Sequence, residues 1–250
     1  VPYAQERIPQ ELLTCALSLL GNTQTSLSKY VLIAAREDHP GISAHQIPEF
    51  FKHILERVDW KQDLHFLTRT TMDTLDYSGI NLNQGSKVII AAAGQARRSL
   101  AKTLPRDLYL QPEFGNPKIF APGILIIQGP EHKMSRDNQD PLIEDFCQLM
   151  YRQKTLSAAK FPLLILVDNS AFASANWDNF LWVVFTRSDP ATDIYGLGSF
   201  THCKHWGCRE SLLIDARLKT YHAPPLETDP EVEKRVDQMG AKGGPLHKII

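Results

Sequence analysis

One stretch restricts the fold more than any other: Lys160 to Asp193, KFPLLILVDNSAFASANWDNFLWVVFTRSDPATD. Its opening run, Phe161 to Val167, is unbroken and apolar, as suits a strand buried on both faces. Asp168-Asn169-Ser170 break the run. Trp177, Phe180, Leu181, Val184 and Phe185 then recur with the 3.6-residue period of a helix face. Pro190 restricts the residue before it and closes that helix after Arg187. Asp193-Ile194-Tyr195 starts the next extended segment. The same order of residue types occurs earlier at one constant offset. Phe50, Phe51, Ile54, Leu55, Arg57, Asp59 and Asp63 match Phe180, Leu181, Val184, Phe185, Arg187, Asp189 and Asp193, and Ile47 matches Trp177. Lys29-Tyr30-Val31-Leu32-Ile33 answers Lys160-Phe161-Pro162-Leu163-Leu164 with a shift of one residue. An Arg-x-Asp-x-x-x-Asp signature behind a repeated apolar stripe predicts two copies of one strand–helix–strand unit.

The other segments fit the same alternation. A helix is expected over residues 6–20, stopped by Gly21-Asn22. A strand is expected from Tyr30 to Ala35, a turn at Asp38 to Gly41, and a capping box of Ser43 and Gln46 for a helix running to about Val58. Strands follow at Leu64 to Thr68 and Lys87 to Ala93, with 70–77 irregular or a short helical turn between them. Gly94 is expected to turn the chain into a short helix carrying Arg97, Arg98, Leu100 and Leu104. Four prolines make 105–122 a loop. Ile124 to Ile127 is a strand, 131–140 a polar exposed segment, and Leu142, Phe146, Leu149 and Met150 mark a helix. Residues 201–210 read as a loop, Leu212 to Ile214 as a strand and 221–227 as extended. Asp229, Pro230, Glu231 and Glu233 start a last helix that Gly240 ends. Val232, Val236 and Met239 give it a narrow apolar stripe. The expected fold is a layered α/β arrangement with a largely parallel sheet and flanking helices. Its parts are a first repeat (1–104), a connecting region with one strand and one helix (105–154), a second repeat (155–228) and a C-terminal helix and tail (229–250).

Composition narrows the function classes. With 27 basic against 28 acidic residues in 250, no electrostatic footprint favours nucleic acid or an anionic membrane. No apolar run approaches the roughly 20 residues of a membrane span, and the opening VPYAQER does not have the pattern of a signal peptide. The four cysteines do not make a disulfide framework, and Cys15 and Cys147 fit helical patterns as small apolar residues. A reducing, cytoplasmic setting follows. Val1 in place of methionine, with a strand–helix unit under way almost at once, is expected of a piece of a longer protein.

Three groups are candidate sites. Arg57 and Arg187 fall at helix C-termini, where the dipole favours cations. Asp59, Asp63, Asp189 and Asp193 are placed to accept loop amides or to pair with those arginines, a structural corner rather than a reactive one. Cys203, His205 and Cys208 are the weak metal candidates, because zinc sites combine close Cys/His pairs and no second pair of matching spacing exists. Gly94 with Arg97 and Arg98 resembles a phosphate-binding turn but lacks the glycine pattern of one. The scattered His53, His65, His132, His222 and His247 build no triad, and no carboxylate pair stands out. Two readings rest on these groups: a stand-alone nucleotide-binding α/β enzyme and a metal-binding interaction module.

A resemblance adds to this. Lys160-Phe161, the run to Val167-Asp168, Trp177-Asp178-Asn179-Phe180-Leu181-Trp182 and Thr186-Arg187-Ser188-Asp189-Pro190-Ala191-Thr192-Asp193 resemble the C-terminal domain of the UbiD family. So do Ile214-Asp215-Ala216-Arg217-Leu218-Lys219, Asp229-Pro230-Glu231-Val232 and Val236-Asp237. The likeness covers about 160–240 and, through the duplication, about 5–80. It implies a C-terminal fragment of a long non-oxidative carboxy-lyase acting on an aromatic or unsaturated acid. It further implies prenylated FMN and a divalent metal in the full-length protein, and a role in ubiquinone or menaquinone synthesis. The family's catalytic arginine and two glutamates belong to the preceding flavin-binding domain. This chain shows no counterpart of them or of the asparagine/histidine metal site, so no catalytic residue carries over. The fragment is then expected to bind no cofactor, to hold the upstream flavin domain and to join subunits of a homo-oligomer through its terminal helix.

Overall fold

A computed structural model describes residues 9–136, 139–223 and 229–247. In chain order the elements are α1 (Pro9–Leu20), β1 (Tyr30–Ala34), α2 (Ile47–Arg57), β2 (Leu64–Thr71), β3 (Gln84–Ala92), β4 (Gly115–Ala121) and β5 (Ile124–Gln128). Then come α3 (Pro141–Gln153), β6 (Leu163–Val167), α4 (Ser170–Ala173), α5 (Trp177–Thr186), α6 (Pro190–Asp193) and β7 (Ile194–Gly196). A hairpin of β8 (Ser199–His202) and β9 (His205–Cys208), then β10 (Leu212–Asp215) and α7 (Pro230–Gly240), complete the chain. The fold is mixed α/β, with several sheets and flanking helices.

One sheet has the order β1-β3-β2 and the other β4-β5-β6-β10-β7. The largely parallel sheet expected from the alternation gives way to mixed pairing. β1 runs parallel to β3, and β6 runs parallel to both β5 and β10, whereas β2–β3, β4–β5 and β7–β10 are antiparallel. The cause lies in the connections. A parallel pair needs a long crossover, which includes α2 between β1 and β3, α3 between β5 and β6, and α5 between β6 and β10, but no helix separates β2 from β3, and Gly123 at φ 79° turns β4 straight back into β5.

The strand faces alternate between separate cores, as a period of two requires. Leu163, Ile165 and Val167 of β6 join Val88, Ile90 and Ala92 of β3 in one cluster with Phe51, Ile54 and Leu55 of α2 and Phe180, Val183 and Val184 of α5. Leu164 and Leu166 face the other way, onto Ile143, Phe146, Cys147 and Met150 of α3. On the smaller sheet, Ile89 and Ala91 pack against Leu12 and Ala16 of α1. The two sheets therefore share their central core, with α2 and α5 inside it. Hydrogen bonds reinforce the joint: Trp60 Nε1 donates to the Pro162 carbonyl at 2.8 Å, and the Cys208 amide donates to the Trp60 carbonyl at 3.1 Å.

Several local expectations are corrected. The capping box before α2 does not form; the Ser43 hydroxyl accepts from His45 N–H, and the helix starts only at Ile47, with Pro48 in its first turn. No helix follows Gly94. Instead the Arg97 amide and the Arg98 guanidinium bond the carbonyls of Glu56 and Leu55, orphan acceptors at the end of α2. Within the proline-rich loop, 115–121 is strand β4, where Pro117 is tolerated because the strand is an edge. The 201–210 loop contains the β8–β9 hairpin, whose turn residues Cys203 and Lys204 both take positive φ without a glycine. In the segment expected to be exposed, His132 and Asp140 are buried. Most of the extended 221–227 segment lies outside the described residues.

Phe180 is fully buried, stacked on Phe120 with ring centroids 4.3 Å apart and edge-on to Phe51 at 6.0 Å. Phe180→Ala is expected to cost about 3–5 kcal/mol through the cavity it leaves. Urea-unfolding midpoints measure this, and a loss below about 1 kcal/mol would contradict the packing described.

Candidate functional site

The two Arg-x-Asp-x-x-x-Asp segments form corners of the same construction. The Asp59 amide donates to Asp63 Oδ2 at 2.7 Å, and the Asp63 amide returns to the Asp59 carbonyl at 2.9 Å. Asp189 N–H donates to Asp193 Oδ2 at 2.7 Å, and Asp193 N–H returns to the Asp189 carbonyl at 2.8 Å. Each carboxylate thus ties the end of a helix to the start of a strand. The arginines pair elsewhere. Arg57 donates to the carbonyls of Gly94 and His53 and lies beside Glu56, and Asp59 is bridged instead by Arg97 at 2.8 Å. Arg187 pairs with Asp168 at 3.0 Å and lies over the Trp182 ring.

The second corner does more than the first. Asp189 Oδ1 and Oδ2 accept from the amide and hydroxyl of Ser86 on β3, at 2.9 and 2.7 Å. Ser86 Oγ also accepts from Ala191 N–H, and Tyr30 on β1 shares a hydrogen bond with Ser188. Asp189 therefore fastens the second half of the chain to the first.

Next to this corner lies a buried ion network spelled by Asp215-x-Arg217-x-Lys219 at the end of β10. Arg217 donates Nε and Nη2 to the two oxygens of Asp215 at 2.9 and 2.8 Å, Nη2 also to Asp140 at 2.8 Å, and Nη1 to the Pro130 carbonyl. Asp140 is itself the N-cap of α3, accepting from Leu142 N–H. Lys219 Nζ bonds the carbonyls of Arg187 and Asp215 and reaches Asp193 at 3.2 Å. Burial alone raises the pKa of Asp215, but Lys219 and Arg217 outweigh it and bring the carboxyl to about 2. Burial likewise opposes the charge on Arg217, and its bond to Asp215 restores it and lifts it above the ordinary value. Sequence reasoning passed over this triplet as a site. The available signal was spacing by two at a strand end, which points like-placed side chains the same way.

The metal candidates do not converge. Cys203 is exposed at the hairpin turn, with its sulfur 3.4 Å from His202 Nε2. His205 Nε2 meets the Lys61 carbonyl. The buried Cys208 thiol donates to the Glu210 carbonyl, and burial pushes its pKa up, against thiolate formation. Among the described residues no three His, Cys, Asp or Glu side chains come together as a ligand set. At the Gly94 turn the amide already holds the Asp38 carboxylate at 2.6 Å, where an external anion would sit. The arrangement is one of mutually neutralised charges. It orients the strand ends.

Two outcomes follow from these contacts. Arg217→Met leaves Asp140 buried without its cation and Asp215 with Lys219 alone, and is expected to cost about 3–5 kcal/mol by urea unfolding; a loss under about 1 kcal/mol would contradict the network. Burial raises the Asp63 carboxyl from 3.8 to about 6, against the pull of the Asp59 amide. A carboxyl with a higher pKa folded than unfolded stabilises most below the unfolded value, and that share is lost as pH rises toward the folded one. Asp63→Asn keeps an acceptor for Asp59 N–H. Relative to the parent chain, it is expected to gain stability between about pH 4 and pH 6 and to level off above. Unfolding titrations across that range check this, and a pH-independent difference would refute it.

Comparison with known proteins places these elements in a family. Residues 3–92 match the model of the 3-octaprenyl-4-hydroxybenzoate carboxy-lyase C-terminal domain. The match falls on the first half, whereas the motifs of the resemblance lie mainly between 160 and 240. The chain is 31% identical over 238 residues to a Chlamydia pneumoniae protein named as one of the subunits of 4-hydroxybenzoate decarboxylase, covering 94% of this chain and 37% of that protein. It is 32% identical over 233 residues to an uncharacterized protein of Chlamydia trachomatis, covering 93% and 37%. An uncharacterized protein of Chlamydia muridarum is 28% identical over 238 residues, covering 95% and 38%. The chain thus spans under two-fifths of the length of these relatives. From the domain match and the named relative together, the chain belongs to the UbiD family of carboxy-lyases, through their C-terminal domain.

Proposed function

We propose that this chain is the C-terminal structural and oligomer-joining part of a UbiD-like decarboxylase that releases CO2 from an aromatic or unsaturated acid. The observation that carries the reading is the 31% identity, over nearly the whole chain, to a protein named as part of a decarboxylase. In this reading an upstream flavin-binding domain holds prenylated FMN and a divalent metal, and the cofactor supplies the carbon–carbon bond chemistry. The residues here do not fit either group. The charges beside β10 are consumed internally, and the His and Cys side chains of the hairpin point to separate partners. The proposed setting is cytoplasmic, and the proposed pathway is ubiquinone or menaquinone synthesis. No helix among the described residues is long and apolar enough to cross a membrane.

The halves are taken as two copies of one unit, with 1–104 and 155–228 as the repeats, joined by 105–154 and followed by 229–250. In support, β1-β3-β2 and β6-β10-β7 share one order and one pattern of directions, and both corners carry the same aspartate bond. The joining role rests on α7. Asp229 caps it, and its apolar stripe of Val232, Val236 and Met239 is exposed. Such a stripe gains stability only when a partner covers it.

Mixing the full-length protein with prenylated FMN, a divalent metal and a 4-hydroxybenzoate-type acid is expected to release CO2, and the 250-residue chain alone is not. Release by the chain alone would overturn the assignment of roles. Val232→Glu with Val236→Glu is expected to lower the sedimentation coefficient of the full-length assembly, and an unchanged value would remove α7 from the interface.

A further inference from the structure

β1 is built as an interior strand but stands at an edge. Tyr30-Val31-Leu32-Ile33-Ala34 is an unbroken apolar run, the composition of a strand covered on both faces. Its side chains divide between two cores, Tyr30, Leu32 and Ala34 on one side and Val31 and Ile33 on the other. The register with β3 is continuous along its whole length, without a bulge. Among the described residues no strand pairs with its other edge. Natural edge strands are blunted by a charge, a proline or a bulge, and β1 carries none of these.

The ladder shows which backbone groups are left over. Tyr30 pairs with Val88, and the Val88 amide donates to the Lys29 carbonyl. In a parallel ladder this turns the backbone groups of Val31 and Ile33 toward β3 and those of Tyr30, Leu32 and Ala34 outward. In the other half the same edge is filled. Leu163 N–H donates to the Gly123 carbonyl, and the Val167 carbonyl accepts from Gly129 N–H, as β5 runs parallel along β6. All of β6 is buried, whereas all of β1 is half-buried.

The helix before each strand shows the same difference. Leu12, Cys15, Ala16 and Leu19 of α1 stand at one offset from Ile143, Phe146, Cys147 and Met150 of α3, the offset that also separates Lys29 from Lys160. The α3 residues are all buried, in a cluster that includes Leu125 and Ile127 of β5. On α1, Leu12 and Ala16 are buried, but Cys15 is only half-buried and Leu19 is 47% exposed. What α1 and β1 lack is the cover that β5 supplies to α3 and β6.

We propose that the segment of polypeptide preceding α1 adds to β1 as a parallel strand, bonding the outward amides and carbonyls of Tyr30, Leu32 and Ala34 and covering Cys15 and Leu19. A strand–helix–strand crossover through α1 then repeats β5–α3–β6. Residues 1–8, VPYAQERI, contain no apolar run of strand length, and β5 ends at Gln128, well before α3 starts at Pro141, so the added strand falls before Val1. The relatives leave room for it, since this chain spans under two-fifths of their length. The pairing rests on the reading above that the chain is part of a longer protein, and it makes β1 the seam on which the upstream part is held.

Amide exchange on fragments spanning Lys29 to Ala35 is compared between the full-length protein and the 250-residue chain, the latter at concentrations where sedimentation shows a single copy. The Tyr30, Leu32 and Ala34 amides are expected to exchange at least about a hundredfold more slowly in the full-length protein. Ala34→Pro removes an outward amide that β3 does not use. It is expected to leave the urea midpoint of the shorter chain nearly unchanged and to speed the exchange of Leu32 in the full-length protein at least about tenfold. Leu19→Glu is expected to act the same way through the helix flank, and it carries the test if Ala34→Pro does not fold. Equal exchange in the two proteins, or exchange in the full-length protein unmoved by either variant, would overturn the proposal. Slow exchange already present in the single-copy chain would overturn it as well, and protection that grows with the concentration of that chain would give the edge to a second copy instead. CO2 release is scored separately. An active full-length protein with fast exchange at β1 removes the added strand and keeps the decarboxylase reading, and an inactive one with slow exchange does the reverse.

Discussion

The guanidinium of Arg217 holds the second half of this chain in its shape. It is fully enclosed and binds the end of β10 through Asp215, the segment after β5 through Pro130 and the start of α3 through Asp140. Asp140 serves twice, capping a helix with one oxygen and neutralising the arginine with the other. Desolvating such a charge is unfavourable, and only a complete set of acceptors offsets the cost. The geometry at these strand ends therefore has little freedom: displacing one strand would strand a charge in the interior. Lys219, four residues from Asp215, extends the same logic to the corner at Asp193.

The two corners show how one sequence pattern can serve different ends. Both place an aspartate carboxylate on the amide four residues earlier, because the turn geometry needs an acceptor there. Around that shared bond the partners differ. Asp59 faces outward to Arg97, while Asp189 is buried and bound to Ser86 of the other half. Asp193 has Lys219 beside it, whereas Asp63 Oδ1 is buried without a hydrogen bond. The first corner is the less fully satisfied of the two, yet burial raises the carboxyls of Asp63 and Asp193 alike.

Much of the fold was legible where hydrophobic period and breaker residues agreed. The run to Val167 and the stripe of α5 lie where their patterns put them, since burial on both faces of β6 and on one face of α5 leaves little else for those residues to do. What stayed hidden depended on partners distant in sequence. Residues after Gly94 have a helix-like composition, yet they serve as the cap of α2, a role that only the folded neighbourhood reveals. The β8–β9 turn carries Cys203 and Lys204 where an Asn-Gly pair would have announced it. Of the candidate residues, the aspartates were placed by spacing, but the partners of Arg57 and Arg187 were not, because Gly94 and Asp168 are brought up by tertiary structure alone.

The common core of the two sheets has a consequence for how the chain can change over time. Phe51 of α2 touches Trp177, Phe180 and Phe185 of α5, so each helix is part of the solvent-excluding wall of the other. A substitution that shrinks one ring must be answered by growth across the seam, not within its own half. Neither half is then free to drift, be excised or be traded by recombination while the other stays as it is, and the pair must be inherited as one indivisible body.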